Sequence, residues 1–248
     1  MDKNYYLEYD ELERTHWWFR ARQEIIRALI IKNFGQRRDL KILNIGVATG
    51  ASSEMLQEFG QVKSVEYDQD CYNYVKEKLN IDIEQGSILN LRFESNTYDL
   101  VCAFDVIEHV EEDSLAASEM MRVCNQNGIV FVTVPAFMSL WSHHDEVNHH
   151  FRRYKMNELR NLFKNSGSII SYSYFNSLLF IPVFLVRTLS KLMPFLFKRE
   201  GSGSDFGMVK SKWIGDILYK LFLFEKAPLR AGIKFPMGVS ALLIWKKA

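Results

Sequence analysis

The amino-acid sequence predicts an α/β protein with a doubly wound, mostly parallel β-sheet. Short apolar segments alternate with segments of helical periodicity through the first half of the chain. Parallel neighbouring strands need crossover connections, and helices provide them. The first apolar segment runs directly into a turn rich in small residues. The fourth is almost wholly apolar, as expected of a strand that is covered on both faces.

The boundaries of the predicted elements follow from these patterns. Apolar runs predict strands at 41–45, 62–67, 81–84, 98–104 and 129–134, with Pro135 ending the fifth, and later strands at 168–175 and 239–245. Apolar residues at helical spacing predict helices at 10–31, 52–59, 69–79, 113–123, 156–166 and 213–224.

Composition limits the classes of partner and the compartment. The chain has 248 residues, 48% of them hydrophobic, which is enough for one sizeable domain. Lys and Arg number 31 against 30 Asp and Glu, so no strong field attracts nucleic acid, and we expect no nucleic-acid partner. The three cysteines form no C-x-x-C pair, and the first residues lack the pattern of a secretion signal. We therefore expect a cytoplasmic protein.

The turn after the first strand has the chemistry of a nucleotide-binding turn. Small residues recur at every second position in Asn44-x-Gly46-x-Ala48-x-Gly50. Glu66 follows Gly46 by about twenty residues, at the end of the next strand, where a carboxylate can accept hydrogen bonds from ribose hydroxyls. The alternative is that Glu66 is a solvated charge at a strand end. The spacing also differs from G-x-G-x-x-G, and no P-loop lysine follows.

Together with other motifs, this spacing resembles the class I S-adenosylmethionine-dependent methyltransferases. The similar motifs are Gly86-Ser87-Ile88, Tyr98-Asp99-Leu100-Val101, Phe104-Asp105, the D-x-x-EH run from Asp105 to His109, and Met121-Arg122-Val123 before Asn127-Gly128. The resemblance implies a Rossmann-like, seven-stranded sheet with an antiparallel final strand. It also implies S-adenosylmethionine as the cofactor and S-adenosylhomocysteine as the product.

The resemblance further implies which residues contact the cofactor. The glycine turn would face the methionine part, Glu66 would bind the ribose, and the turn at 86–88 would flank the adenine. The expected cofactor-binding residues are Trp18, Arg20, Asn44, Ile45, Gly46, Ala48, Gly50, Glu66, Tyr67, Gly86, Ser87, Ile88, Phe104, Asp105, Val106 and His109.

Three of these positions depart from the family's pattern. Asn44 replaces an acid, Ala48 replaces a glycine, and Ser87 replaces an aspartate. An amide or a hydroxyl still forms hydrogen bonds, but without the charge that strengthens them. Ala48 costs little only if its φ angle is negative.

The aromatic cluster from His16 to Arg20 has two interpretations. It anchors the first helix on the domain, or an aromatic side chain such as Trp18 closes over the pocket together with Arg20. The two are compatible.

Methyl transfer from a sulfonium requires an aligned nucleophile and a base that removes its proton. Histidine suits this role because its ordinary pKa is near working pH. The candidates are His109, whose alternative role is a hydrogen bond within its own loop, and His144 and His150 in the loop after the fifth strand, with Tyr154 orienting the group. The loop histidines fit neither H-E-x-x-H nor a zinc-knuckle spacing, so we expect no metal site.

The apolar segments at 178–197 and 213–224 also have two interpretations. They pack as a lid over the substrate side, or residues 178–199 contact a membrane surface and admit a lipid-linked substrate. Prolines and basic residues interrupt the first segment too often for a membrane span. Residues 198–207 are predicted to form a mobile loop.

We therefore expect a single domain over residues 1–248. It has a helical cover at 1–38, a core at 39–175, a helical insertion at 176–237 and the final strand at 238–248. The expected function is methyl transfer from S-adenosylmethionine to an oxygen of a small-molecule or lipid-linked acceptor. The alternative is a non-catalytic cofactor-binding protein that acts as an interaction or membrane-surface module.

Overall fold

The computed structural model describes residues 3–192 and 211–248, and their side chains from residue 9 onward. The strands are β1 (Leu40–Ile45), β2 (Gly60–Glu66), β3 (Asp82–Gln85), β4 (Tyr98–Phe104), β5 (Cys124–Pro135), β6 (Gly167–Phe175) and β7 (Ser240–Lys247). The helices are α1 (Lys3–Thr15), α2 (Trp17–Phe34), α3 (Ala51–Leu56), α4 (Gln69–Lys78), α5 (Asp113–Val123), α6 (His143–Val147), α7 (Met156–Leu162), α8 (Phe180–Leu192), α9 (Lys212–Leu223) and α10 (Lys226–Ala231). Short 3-10 turns lie at Ile107–His109 and Met138–Leu140.

All seven strands form one sheet, in the order β3-β2-β1-β4-β5-β7-β6. Strands β1 to β5 pair in parallel, and β7 runs antiparallel to both β5 and β6. The predicted seven-stranded, mostly parallel sheet with an antiparallel final strand is confirmed. The strand order reverses between β1 and β4, which is where open α/β sheets bind ligands beyond the carboxyl ends of their strands.

The two faces of the sheet carry separate apolar cores. Along β4, Val101 and Ala103 pack with α5 and α7 on one face, whereas Leu100 and Cys102 pack with α2 and α3 on the other. Successive strand residues point to opposite faces, so a nearly continuous apolar strand supplies both cores at once. The doubly wound arrangement follows from this pattern.

Several predicted boundaries were wrong. The single helix at 10–31 is two helices, because His16 adopts an extended conformation (φ −67°, ψ 136°) and its Nδ1 accepts a hydrogen bond from the Trp18 backbone at 3.3 Å. Strand β5 begins at Cys124, before a bulge in its pairing with β4 where Asn127 has a φ of +62°. The helices predicted at 52–59 and 156–166 end at Leu56 and Leu162. Helices α6 and α10 were not predicted.

The helices after β6 pack in different places. Helix α9 lies on α2, where the rings of Trp17 and Phe222 are 6.5 Å apart, whereas α8 lies near the turn at 138–140 and has no buried side chain. Within residues 3–192 and 211–248, no helix has the length and apolar character needed to cross a membrane. The whole loop predicted as mobile, 198–207, and residues 193–199 of the 178–199 segment lie outside the described residues.

Candidate active site

A cavity of about 1250 Å³ opens at the carboxyl ends of the central strands. Its walls include the turn after β1, Glu66 at the end of β2, the turn after β3 and the residues that follow β4. Pockets for one small ligand typically enclose roughly 300–1,000 Å³, so this cavity can hold a cofactor and an acceptor together.

The turn after β1 approaches the end of β4 closely. Gly46 has a φ of +67°, and a Cβ built on it would lie 2.5 Å from Cγ2 of Val106. A side chain at this position would therefore clash. Ala48 also has a positive φ, +48°. Alanine replaces glycine at little energetic cost only where φ is negative, so this substitution is costly here. The left-handed conformation costs alanine about 1–2 kcal/mol.

Glu66 fixes the shape of this turn. Its Oε2 accepts a hydrogen bond from the Ala48 backbone, and its Oε1 accepts one from the Asp68 backbone, both at 3.0 Å. The residue is only 7% exposed, so it is not a solvated strand-end charge. Burial raises the pKa of its carboxyl, against the effect of these backbone donors. Each carboxylate oxygen keeps a further lone pair that a ligand hydroxyl can use.

Two predicted contacts of the turn lie outside the cavity wall. Asn44 is 1% exposed, and its Nδ2 donates to the hydroxyls of Ser52 and Ser53 at 2.9 Å. Gly50 has a φ of +92° and packs against Leu79, where a Cβ would come within 2.6 Å of Cδ1. Asn44 therefore holds α3 to β1, whereas Gly50 packs the start of α3 against the end of α4.

The N-terminal helices cover the cavity, but not with all of the residues that were predicted to do so. Trp18 lines the cavity, but the guanidinium of Arg20 lies 4.8 Å over the ring of Tyr219, outside it. Arg22 lines the cavity instead, and it pairs with Asp105 and donates to the Thr133 hydroxyl at 2.9 Å. Its position four residues after Trp18, on the same helix face, was the available signal.

Glu13 of α1 is a second cavity residue that the sequence analysis missed. Its side chain is largely buried beside the glycine turn and accepts a hydrogen bond from the Thr49 hydroxyl. Burial raises the pKa of Glu13 to about 7, although the Thr49 hydrogen bond and the charges of Arg22 and Arg14 act in the opposite direction. A carboxyl in this position can pair with a cationic ligand group.

The residues after β4 contribute two carboxyl groups and one imidazole to the cavity wall. Asp105 has a φ of +55°, an uncommon conformation that its pairing with Arg22 supports. Glu108 is fully buried, and burial together with the nearby Asp105 raises the pKa of its carboxyl well above the usual range. Desolvation by the surrounding wall and the neighbouring His150 lower the pKa of His109 to about 4.

The loop after β5 carries a hydrogen-bonded pair next to these residues, with the rings of His109 and His150 4.5 Å apart. His150 Nδ1 lies 2.9 Å from Oδ1 of Asp145, and Arg153 Nε donates to the same oxygen at 2.7 Å. Burial acts to raise the pKa of Asp145, but the contacts with His150 and Arg153 hold it below its ordinary range. His144 also lines the cavity. Tyr154 does not, because its hydroxyl donates to Asp113 Oδ2 at 2.9 Å beneath the loop.

Most of the residues predicted from the sequence meet in this one cavity. Four of them, Arg20, Asn44, Gly50 and Tyr154, lie outside it. Its wall contains Trp18, Ile45, Gly46, Ala48, Glu66, Tyr67, Gly86, Ser87, Ile88, Phe104, Asp105, Val106, His109, His144 and His150.

A sheet of this order, with a carboxylate-bearing cavity at its switch point, is typical of Rossmann-like proteins that bind nucleoside-containing cofactors. A family model described as a methyltransferase domain matches residues 43–132. A solved S-adenosylmethionine-dependent methyltransferase from Archaeoglobus fulgidus superimposes with a TM-score of 0.58 at 13% identity, over 98% of this chain and 100% of that one. At this low sequence identity, the structural similarity shows the fold alone.

Sequence relatives point in the same direction. The "Probable S-adenosylmethionine-dependent methyltransferase" of Mycolicibacterium smegmatis is 25% identical over 160 residues, covering 63% of this chain and 61% of that protein. The demethylmenaquinone methyltransferase of Staphylococcus aureus is 26% identical over 133 residues, covering 48% and 55%. The chain thus spans less than two thirds of the length of these two relatives.

Residues 43–132 of the chain thus match a methyltransferase domain, and the sequence relatives and the fold point to S-adenosylmethionine as the cofactor. The site fits this cofactor on its own chemistry. Glu66 offers buried acceptors for hydroxyl groups, the absent side chain of Gly46 leaves room for close approach, and Glu13 offers a carboxyl to an amino group.

Proposed function

We propose that the protein transfers a methyl group from S-adenosylmethionine to an oxygen of a small-molecule or lipid-linked acceptor. The observation that carries this proposal is that Glu66 and Gly46 share one cavity with His144 and His150. A cofactor against the first pair and an acceptor against the second would lie side by side, as direct transfer requires.

The chain's residues would hold the cofactor at its polar ends. Glu66 accepts from the ribose hydroxyls, Ser87 and Ile88 flank the base, and Glu13 pairs with the amino group of the methionine part. Bound in this way, S-adenosylmethionine supplies an electrophilic methyl group on a sulfonium. The ion pair of Arg22 and Asp105 lies in the wall of the same cavity.

The reaction also requires a base that removes the proton of the acceptor hydroxyl. Because His150 Nδ1 is engaged by Asp145, its other ring nitrogen can accept a proton from a hydroxyl, and the buried carboxylate stabilises the resulting imidazolium. His144 lies nearby, with ring centroids 6.2 Å apart, and can hold the acceptor. His109, with a lowered pKa, is neutral at working pH and offers a further acceptor nitrogen.

The acceptor side of the cavity is apolar. Part of its wall is formed by four apolar residues in or next to α8: Leu179, Pro182, Val183 and Val186. This wall favours an acceptor with an aromatic or aliphatic body and one hydroxyl. The S. aureus relative, whose name specifies demethylmenaquinone, supports a small-molecule acceptor.

Transfer of labelled methyl groups tests the proposal. The full chain is incubated with methyl-labelled S-adenosylmethionine and a panel of phenols, aliphatic alcohols and lipid-linked hydroxyl compounds. We expect label in at least one hydroxyl acceptor, and loss of turnover in His150→Ala. Label only in amines or at carbon would contradict oxygen as the acceptor atom.

A second candidate function is a cofactor-binding module that acts at a membrane surface. It is supported by α8, whose Ile181, Leu185 and Leu189 are exposed beside Lys191. Binding of S-adenosylmethionine without turnover on the whole panel, together with sedimentation on anionic vesicles, would favour it. Loss of sedimentation in Leu185→Asp would assign the contact to α8.

The location and organisation of the protein are proposals as well. The free thiols Cys71, Cys102 and Cys124 are all buried, which supports a cytoplasmic setting. The membership of all seven strands in one sheet supports a single domain.

A further inference from the structure

Three potential metal ligands converge on one wall of the cavity. Glu108 and His109 belong to the 3-10 turn after β4, and His150 belongs to the loop after α6. One ligand atom from each lies within 4.8 Å of the other two. The imidazole rings stand nearly perpendicular, with centroids 4.5 Å apart and an interplanar angle of 86°.

Glu108 lacks the partner that a buried carboxylate needs. The residue has no exposed surface, and neither of its carboxylate oxygens has a hydrogen-bond partner in the part of the chain that is described. Burying a polar group without a partner is costly, and a buried charge is normally paired or bound to a metal. The nearest cationic side chains are engaged elsewhere, since Arg22 pairs with Asp105 and Arg153 with Asp145.

His150 already has one ring nitrogen fixed. Its Nδ1 is held by Asp145, and the ring of His109 lies next to the backbone carbonyl of Asn148. Histidines that bind metals usually donate their other N–H to a carboxylate or a backbone carbonyl in this way, which orients the ring and leaves the second nitrogen as a ligand.

We propose that Glu108, His109 and His150 bind a divalent transition-metal ion such as Zn²⁺ or Co²⁺. Two imidazole nitrogens and one carboxylate oxygen suit such ions, and three protein ligands leave coordination positions open toward the cavity. Metal–ligand bonds of about 2.0–2.2 Å require the three atoms to approach one another somewhat further.

This site differs from the one considered in the sequence analysis. The spacing of the histidines between 143 and 150 fits no metal motif, and the absence of a site was expected on that ground. The converging set takes only His150 from that loop. Its other two ligands lie about forty residues earlier, next to the β4 end, and only the fold brings them together.

The open positions suggest what the ion does, and this consequence alone depends on the proposed function. A divalent ion held here would lower the pKa of a bound hydroxyl, as it lowers that of bound water, so that the hydroxyl could release its proton to solvent near neutral pH. The ion would then replace His150 and His109 in activating the acceptor, and His144 would remain to hold it. Metal binding itself is independent of methyl transfer and is measured without cofactor or acceptor.

The test measures metal binding to the untagged full chain after removal of metals with a chelator. Co²⁺ binding is followed by visible absorption and Zn²⁺ binding by calorimetry. We expect one equivalent to bind, and Glu108→Gln and His109→Asn each to weaken binding at least tenfold. The control is His143→Asn, a histidine of the same loop that pairs with Glu146 and lies outside the triad; it should bind as the wild type does.

Thermal unfolding separates loss of the site from loss of the fold. Zn²⁺ should raise the melting temperature of the wild type and of His143→Asn, because a ligand that binds the folded state stabilises it, but not that of Glu108→Gln. The proposal is overturned if the wild type takes up no metal at concentrations on the order of 100 μM. It is also overturned if Glu108→Gln and His109→Asn, both folded, bind metal as tightly as the wild type.

Discussion

Replacing Glu66 with alanine tests the predicted ribose contact. The carboxylate of Glu66 already accepts the Ala48 and Asp68 backbone N–H groups at 3.0 Å, one on each oxygen. A bound ribose would use the remaining lone pairs. Hydrogen bonds to a charged group contribute about 1.5–3 kcal/mol, so we expect cofactor affinity to fall roughly 10- to 150-fold.

Calorimetric titration with S-adenosylhomocysteine gives this change directly. The matched control is Glu84→Ala on the neighbouring strand β3, a carboxylate that pairs with Lys63 at 3.3 Å outside the cavity. The control should bind as the wild type does, and thermal unfolding should show that both variants are folded. An affinity of Glu66→Ala within twofold of the wild type would mean that the ribose lies elsewhere.

Three further predictions concern packing, pH and turnover. A Cβ on Gly46 would lie 2.5 Å from a valine side chain, so Gly46→Ala should lower the free energy of unfolding by about 1–3 kcal/mol more than Gly35→Ala, which has a similar φ of +68° and open space around it. Because burial raises the pKa of Glu13 from 4.5 to about 7, the folded protein binds this proton more tightly than the unfolded chain does. The contribution of Glu13 to the free energy of unfolding therefore falls as pH rises from 4.5 to about 7, and Glu13→Gln should remove this part of the slope. His144→Ala and His150→Ala should lower turnover on an identified acceptor while cofactor affinity changes less than twofold.

Denaturant unfolding checks the first two of these predictions, and labelled-methyl transfer checks the third. Equal losses for the two alanine substitutions would show that the close approach of the turn to β4 does not cost stability. An identical pH slope in Glu13→Gln would show that this carboxyl titrates normally. Full turnover in both histidine variants would assign proton removal to another group.

The central sheet was predictable because its signals are local. The apolar run from Tyr98 to Phe104 matches β4 in full. The turn at Gly46 directly follows β1, as the apolar run before this glycine predicted. A strand buried on both faces must be apolar throughout, and a turn that packs against a neighbouring strand must lack a side chain. Both requirements can be recognised within a few residues.

The cover of the cavity depends on packing angles that the sequence does not specify. The side chain of His16 divides the first helix, and the orientation of α2 then brings Arg22 into the cavity while Arg20 lies on Tyr219. Either arginine was compatible with the local pattern. Tyr154 was predicted to orient the reacting group, but its hydroxyl is bound to Asp113 beneath the loop.

Groups that are distant in sequence were the hardest to predict. Glu13 meets the glycine turn from α1, and His150 meets Glu108 across about forty residues of chain. These contacts depend on how the helical cover and the loop after β5 close over the strand ends. No short sequence motif predicts these contacts.

Binding of S-adenosylmethionine to the purified chain tests the central claim most directly. Titration with S-adenosylmethionine and with S-adenosylhomocysteine should give saturable binding at one site for each, in the cavity that contains Gly46 and Glu66. Absence of binding for both compounds at concentrations of several hundred micromolar, roughly the weak end of cofactor affinities, would contradict the assignment of this cavity.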